Sequence, residues 1–135
     1  MSYALLMYLH LATVLPAALI GGYLLAARKG TPHHRSLGKA YMVLMLVTAG
    51  IALFMPATVG PQFLGHFGWI HIFCVVVLMS VPRAYVAIRQ GNRRTHQISM
   101  VMTYVGAILI AGGFTLAPDR YLHDLLFVDG FSAQP

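Results

Sequence analysis

Four apolar runs constrain the fold of this chain more than any other feature of its sequence. They cover about residues 3–27, 38–57, 65–88 and 97–117, and each is close to the roughly 20 residues that a helix needs to cross a bilayer. Of 135 residues, 59% are hydrophobic and 9% are charged, whereas an ordinary soluble domain is roughly 25% charged. The sequence therefore predicts an all-α integral membrane protein, a bundle of four transmembrane helices that forms one domain over residues 1–135.

The basic residues predict the orientation of those helices. Eight of the nine flank the first and third connections: Arg28, Lys29, Arg35 and Lys39 at the first, and Arg83, Arg89, Arg93 and Arg94 at the third. Cytoplasmic loops carry the excess of Lys and Arg. Both connections are therefore expected in the cytoplasm and both termini outside it, in a bacterial inner membrane. The net charge of +6 then reflects topology, and lipid headgroups, not nucleic acid, are its expected partners.

The chain resembles itself when it is shifted along its own sequence. An offset of 61 residues matches the first apolar run to the third, and an offset of 62 matches the second to the fourth. The matched pairs include His10 with His71, Arg28 with Arg89, Gly30 with Gly91, His34 with His96, Gly50 with Gly112 and Pro56 with Pro118. This pattern predicts two parallel tandem hairpin repeats (2+2), about residues 3–57 and 65–118, related by an axis along the membrane normal. Residues 119–135 form an extracytoplasmic tail.

Local signals mark where two of the helices begin. Thr31 and Asn92 are typical helix N-caps. These caps put three histidines in the first turns of their helices: His33, His34 and His96. In the tail, residues 121–128 are expected to form a short interfacial helix.

The repeat arranges four histidines as two pairs. His10 and His71 share a depth in the outer half of the bilayer, and His34 and His96 share a depth near the cytoplasmic face. Two neutral imidazoles on opposing helices are what six-coordinate haem iron needs, whereas zinc wants three or four protein ligands. The sequence therefore predicts two b-type haems, with each iron held by one pair.

Further residues complete the predicted sites. Gly50 and Gly112 lie near the outer pair and leave room for a flat macrocycle between helices. Arg83 is a candidate contact for a haem propionate or a quinone, with snorkelling to the interface as its alternative. His33 is the neighbouring alternative to His34 as the inner ligand. A hydrogen bond to a neighbouring helix is the alternative role of a membrane histidine, and a contact with a lipid headgroup is the alternative for His34, which lies beside Arg35 and Lys39.

Hydrolytic chemistry lacks its usual parts in this sequence. The chain has no glutamate, and its three aspartates all follow Pro118, so paired-carboxylate and triad mechanisms have no candidates in the membrane. The sequence identifies no catalytic residue.

Two resemblances add to this reading. Over nearly its whole length the chain resembles a family of small bacterial predicted four-helix membrane proteins without an assigned activity, in the stretches RKGTPHHRSLGKAY (28–41), GHFGWIH (65–71) and GNRRTHQISM (91–100). That resemblance implies the fold. The arrangement is also similar to the membrane dihaem cytochromes b of the b-561 type, in which alternate helices supply two bis-histidine sites. That similarity implies His10 and His71 as ligands of the outer haem, and His34 and His96 as ligands of the inner one.

These expectations describe a transmembrane electron-transfer protein with two haems b, and a quinone-linked membrane oxidoreductase is the enzyme class they suggest. The alternative is a haem-free transporter, or a metal-binding or structural membrane subunit. A homodimer is left open in each case, as are the electron donor and acceptor.

Overall fold

The computed structural model describes residues 1–58, 60–118 and 120–129. Within these ranges lie four long helices: α1 (Tyr3–Ala26), α2 (Pro32–Leu53), α3 (His71–Arg89) and α4 (Arg93–Thr115). By length and composition, each is able to cross a membrane. The predicted all-α architecture of four membrane-spanning helices is confirmed.

The fourth helix changes its winding part of the way along. Its residues Tyr104–Ile110 are π-helical, between the α-helical stretches Arg93–Thr103 and Ala111–Thr115. A π turn is a local departure from the period of 3.6 residues, so the apolar pattern of the sequence did not indicate it.

The tail contains the expected short helix. It begins as α5 (Tyr121–His123) and continues as a π-helical turn, Asp124–Asp129. Of the tail expected over residues 119–135, Asp119 and residues 130–135 lie outside the described residues.

The two tight connections, residues 27–31 and 90–92, lie at one end of the bundle, which we call the basic end. Gly30 (φ 80°) and Gly91 (φ 77°) take the left-handed conformation that favours glycine. Each is followed by an N-cap: the Thr31 side chain accepts from the His34 N–H at 3.0 Å, and Asn92 accepts from Thr95 N–H at 3.1 Å. The predicted caps are confirmed, and they start α2 and α4 ahead of the apolar runs.

Lys29 completes the end of α1. Its Nζ donates to the backbone carbonyls of Leu24, Leu25 and Ala27 at 2.6, 2.7 and 2.8 Å. The last carbonyls of a helix have no partner within it, so this ammonium group supplies a donor to acceptors at the end of α1.

The opposite end of the bundle, which we call the loop end, carries the long connection between α2 and α3. Leu64 (φ 57°) and Gly65 (φ 67°) turn the backbone, and Phe63 pairs with Phe67 in an isolated bridge. α3 therefore begins at His71, six residues later than the apolar run that starts at 65.

The helices pack in chain order. α2 contacts both α1 and α3, α3 contacts α4, and α1 meets α4 mainly along Tyr104–Ile110. The largest fully buried side chains are Met45, Val77, Val81 and Thr103. Many large apolar side chains point outward instead, as expected for a surface that faces lipid.

Hydrogen bonds between helices reinforce this packing. The Thr48 hydroxyl donates to Thr13 Oγ1 at 2.7 Å, which links α2 to α1. The Tyr104 hydroxyl donates to the Ala18 carbonyl at 3.2 Å, which links α4 to α1. Because lipid tails are as apolar as the helix surfaces, helix association in a membrane rests on close packing and on bonds of this kind.

The two hairpins share their tight connections but differ in their helices. α1 contains Pro16 and α3 contains Pro82, which are not matched by the offset of 61 residues, and α2 has no π-helical segment. The duplication stays a prediction, supported by the two matching glycine and N-cap turns.

Candidate functional site: a basic cavity between the helices

A cavity of about 970 Å³ lies between the four helices at the basic end. Every long helix contributes to its wall: Leu24 on α1, Met42 on α2, Ile88 on α3 and Met100 on α4 are examples. Ligand pockets in proteins measure roughly 300–1,000 Å³. The cavity is therefore large enough for a sizeable organic cofactor.

The rim of this cavity is strongly basic. Among the described residues, six cationic side chains border it: Arg28, Lys29, Arg35, Lys39, Arg89 and Arg93. No acidic side chain of the described ranges lines it. A concave surface of one charge sign concentrates counter-ions, so the cavity favours an anionic ligand or an anionic substituent on a larger one.

His34 and His96, the predicted inner pair, border this same cavity from α2 and α4. His96 is anchored: its Nδ1 lies 3.0 Å from the Ala84 carbonyl, which only accepts, so Nδ1 donates and the neutral ring keeps its lone pair on Nε2. Within the described chain, neither Nε2 makes a hydrogen bond, and the buried Nδ1 of His34 also lacks a partner.

His33, the alternative inner ligand, lies elsewhere. Its ring is exposed and meets Tyr23 edge to face, with ring centroids 6.0 Å apart. It borders a second cavity of about 340 Å³ and does not line the larger one. Of the two neighbouring histidines, His34 is the one that lines the basic cavity together with His96.

Two tyrosines form the inner end of the cavity, and sequence reasoning missed them. Gly21 lets them approach α1: a Cβ at Gly21 would lie 2.6 Å from the Tyr41 ring and 2.7 Å from that of Tyr104. Tyr41 is only 4% exposed, and its hydroxyl has no hydrogen-bond partner among the described residues. The pair Gly21 and Gly22 within an apolar helix was the signal that the sequence offered.

The predicted outer pair is arranged differently. His10 is half-buried on α1, where its ring approaches the backbone of Thr48 and its Nδ1 has no partner in the described chain. His71 is buried at the start of α3. Its Nδ1 accepts from the Gly68 N–H at 3.0 Å, and its Nε2 donates to the Met55 carbonyl at 3.0 Å. Across the described residues, His10 and His71 share neither a hydrogen bond nor a ring contact.

His66 is a second histidine at the loop end, and sequence reasoning gave it no role in the fold. Its Nε2 donates to the Leu53 carbonyl at 2.8 Å, and its ring lies 5.7 Å from that of His71. Leu53 and Met55 stand at the end of α2, where backbone carbonyls lose their helical partners. His66 and His71 together satisfy two of these acceptors.

The remaining predicted residues lie away from the basic cavity. Gly50 and Gly112 are partly buried, and a Cβ at either would meet nothing within 4 Å, so both have open space beside them. Arg83 is exposed on α3, does not line the cavity and has no hydrogen bond or ion pair within the described ranges.

The donor set suits some ligands better than others. A zinc site requires three or four protein ligands. No group of three or more His, Cys, Asp or Glu side chains in the described residues is placed to hold a metal ion. Haem iron needs only two protein ligands, because the porphyrin supplies the other four.

Fold and site together define an integral membrane protein of four helices with a basic cavity that two histidines border. The chain belongs to the family described as Predicted membrane protein (DUF2306), which it matches over residues 7–125. No curated protein and no solved structure matches it.

Proposed function

We propose that this protein transfers electrons across a membrane and holds haem b in the basic cavity, with His34 and His96 as axial ligands. One observation carries the proposal: two histidines from different helix pairs border one cavity of about 970 Å³, and neither Nε2 makes a hydrogen bond in the described chain. A bound haem supplies one-electron oxidation and reduction.

The protein groups around the two histidines have chemistry that suits this ligand. The bond from His96 Nδ1 to the Ala84 carbonyl is the kind of support that usually orients a metal-bound imidazole. Arginine side chains at the rim form paired hydrogen bonds with carboxylates, so they are suited to haem propionates. The apolar wall residues exclude water from the centre of the cavity.

A second haem between His10 and His71, beside Gly50 and Gly112, belongs to the same proposal. The unpartnered Nδ1 of His10 and the open space at both glycines support it. To bind iron through Nδ1, His71 would have to release the Gly68 N–H, and to bind it through Nε2 it would have to lose its bonds to both Met55 and Gly68. We therefore expect the inner haem to bind more readily than the outer one.

The orientation and the partner follow from charge. We propose that the basic end faces the cytoplasm, because cytoplasmic loops carry the Lys and Arg excess. A quinone dissolved in the bilayer is the proposed redox partner, since Arg83 offers a cation on the lipid-facing side of α3, where intramembrane charges usually have a function.

An absorption spectrum of the purified protein tests the proposal. Protein from haem-replete cells should show low-spin bis-histidine haem b, and His34→Ala and His96→Ala should each remove the inner haem because each deletes one axial ligand. His33→Ala is the matched control and should keep it. Protein that stays colourless after haem is added, or equal haem loss in His33→Ala, would contradict the proposal.

A haem-free transporter or anion-binding subunit is the second candidate. It is favoured by the cavity rim, where Arg28, Arg35, Lys39, Arg89 and Arg93 make no hydrogen bond or ion pair within the described residues. A colourless protein whose thermal stability rises with an anionic solute would support this candidate.

A further inference from the structure

The basic cavity has a side opening toward the lipid. Leu25 on α1 and Val101 on α4 both line the cavity, yet they are 43% and 45% exposed at the surface of the bundle. α1 meets α4 along Tyr104–Ile110 and makes few contacts with Arg93–Thr103. The two helices therefore make few contacts near the basic end, and an apolar opening lies between them beside the cavity.

The same cavity carries unneutralised positive charge at its rim. Five cations there, Arg28, Arg35, Lys39, Arg89 and Arg93, have no protein partner among the described residues. Lys29 is different, because its ammonium group is already bonded to three carbonyls. Basic pockets between transmembrane helices on the cytoplasmic side are suited to anionic lipid headgroups.

The cavity also contains a buried hydrogen-bond donor, the Tyr41 hydroxyl. Tyr41 lines the inner end of the cavity, and its hydroxyl is buried without an acceptor in the described chain. Leaving such a group unpaired costs about 1–3 kcal/mol. Tyr41 lies two helical turns from His34, about 10 Å along α2, which is deeper than the rim and suits an ester carbonyl below a lipid phosphate.

We propose that the cavity binds an anionic phospholipid from the leaflet at the basic end. The phosphate meets the rim cations, an ester carbonyl accepts from Tyr41, and the acyl chains leave between Leu25 and Val101. The apolar side opening favours a lipid over free phosphate. The lipid phosphate and the haem propionates would use the same rim cations, so the lipid and the inner haem are alternative occupants of this cavity.

Native mass spectrometry measures how much lipid stays bound after the protein has been exchanged in detergent with phosphatidylglycerol or phosphatidylcholine. Phosphatidylglycerol should remain bound while phosphatidylcholine is lost. Arg28→Gln and Arg89→Gln should each weaken retention about fivefold, the effect of one basic residue near a charged headgroup. Arg94→Gln, at the same end but outside the cavity, should retain the lipid. Equal retention of both lipids, or equal loss in Arg94→Gln, would overturn the proposal.

Two further variants test the depth and the side opening. Tyr41→Phe should weaken phosphatidylglycerol retention between about two- and tenfold, the effect of one hydrogen bond. Val101→Trp should block the opening and release the lipid, whereas Val43→Trp, on an exposed part of α2 outside the cavity, should not. Equal phosphatidylglycerol retention in the two tryptophan variants would show that the acyl chains do not pass through the opening.

Free phosphate is the other ligand that could place a phosphate group at the rim cations. Inorganic phosphate should displace bound phosphatidylglycerol no better than sulfate at equal ionic strength, and specific displacement by phosphate would assign the site to a soluble anion. The haem content of each sample separates the two proposals: lipid retention without haem overturns only the electron-transfer proposal, and haem without lipid selectivity overturns only this one.

Discussion

At the scale of single side chains, the histidines differ in what their ring nitrogens already bind. His71 uses both nitrogens within the protein, as an acceptor for Gly68 and a donor to Met55. His96 uses only Nδ1, and its Nε2 makes no hydrogen bond in the described chain. A metal ligand needs a free lone pair, so His96 meets one requirement for ligation that His71, which bonds the end of α2, does not.

His71→Ala separates these two roles. The variant leaves the partly buried Met55 carbonyl and Gly68 N–H without their partner, so we expect the free energy of unfolding to fall by about 1–3 kcal/mol. Thermal denaturation in detergent measures the loss, with the exposed His33→Ala as control. A His71→Ala protein that keeps its stability and loses one haem would instead assign His71 to iron.

Sequence reasoning found the histidines of the basic cavity but not its inner end. His34 and His96 were identifiable because the offset of 62 residues pairs them, and the N-caps gave their positions in the first turns. Tyr41 and Tyr104 look like ordinary packing residues in sequence. Their contact with Gly21 depends on how three helices pack, which no local pattern encodes.

At the scale of helices, contact between α1, α2 and α4 depends on one missing side chain. Gly21 on α1 faces the rings of Tyr41 on α2 and Tyr104 on α4, and a Cβ there would lie inside the contact distance of both. Close approach through a small residue is a usual way for membrane helices to associate.

Gly21→Ala should therefore destabilise the bundle. The added methyl group must displace two buried rings, and overpacking of this kind costs about 1–3 kcal/mol. Gly38→Ala is the matched control: Gly38 borders the same cavity, and a Cβ there meets nothing within 4 Å, so it should be neutral or stabilising by up to about 1 kcal/mol. If thermal denaturation ranks the two variants equally, the close contact at Gly21 does not limit stability.

The helices themselves were predictable, because hydrophobic length fixes how many spans exist and the caps fix where α2 and α4 begin. The start of α3 was placed too early. Residues 65–70 are apolar enough to extend the run, but Gly65 and Gly68 favour a turn, and His66 bonds the end of α2 across it. Hydrophobicity reports burial in lipid and does not distinguish a helix from a packed loop beside it.

At the scale of the whole molecule, charge is distributed along the bundle axis. Cations collect at the basic end, where six of them border the cavity, and the three acids all follow Pro118 in the sequence. In a bacterial membrane this polarity predicts the basic end inside and both termini outside.

Reporter fusions test that topology. Alkaline phosphatase fused after Pro135 should be active, because it folds only outside the cytoplasm, and the same reporter fused after Gly91 should be inactive. An active reporter at Gly91 and an inactive one at Pro135 would show that the topology is the reverse of the predicted one. The proposed lipid would then come from the outer leaflet.

The π-helical segment of α4 also alters which way the end of that helix faces. Each residue of Tyr104–Ile110 turns less around the helix axis than an α-helical residue does. The side chains of Ala111–Thr115 therefore point in directions around the axis that differ from those of a regular α-helix continued from Arg93. Gly112 matches Gly50 by offset in sequence, but the π turns before Gly112 set the direction in which it faces around the helix axis. The side of α4 that faces a neighbour before the π turns is therefore not the side that faces it after them.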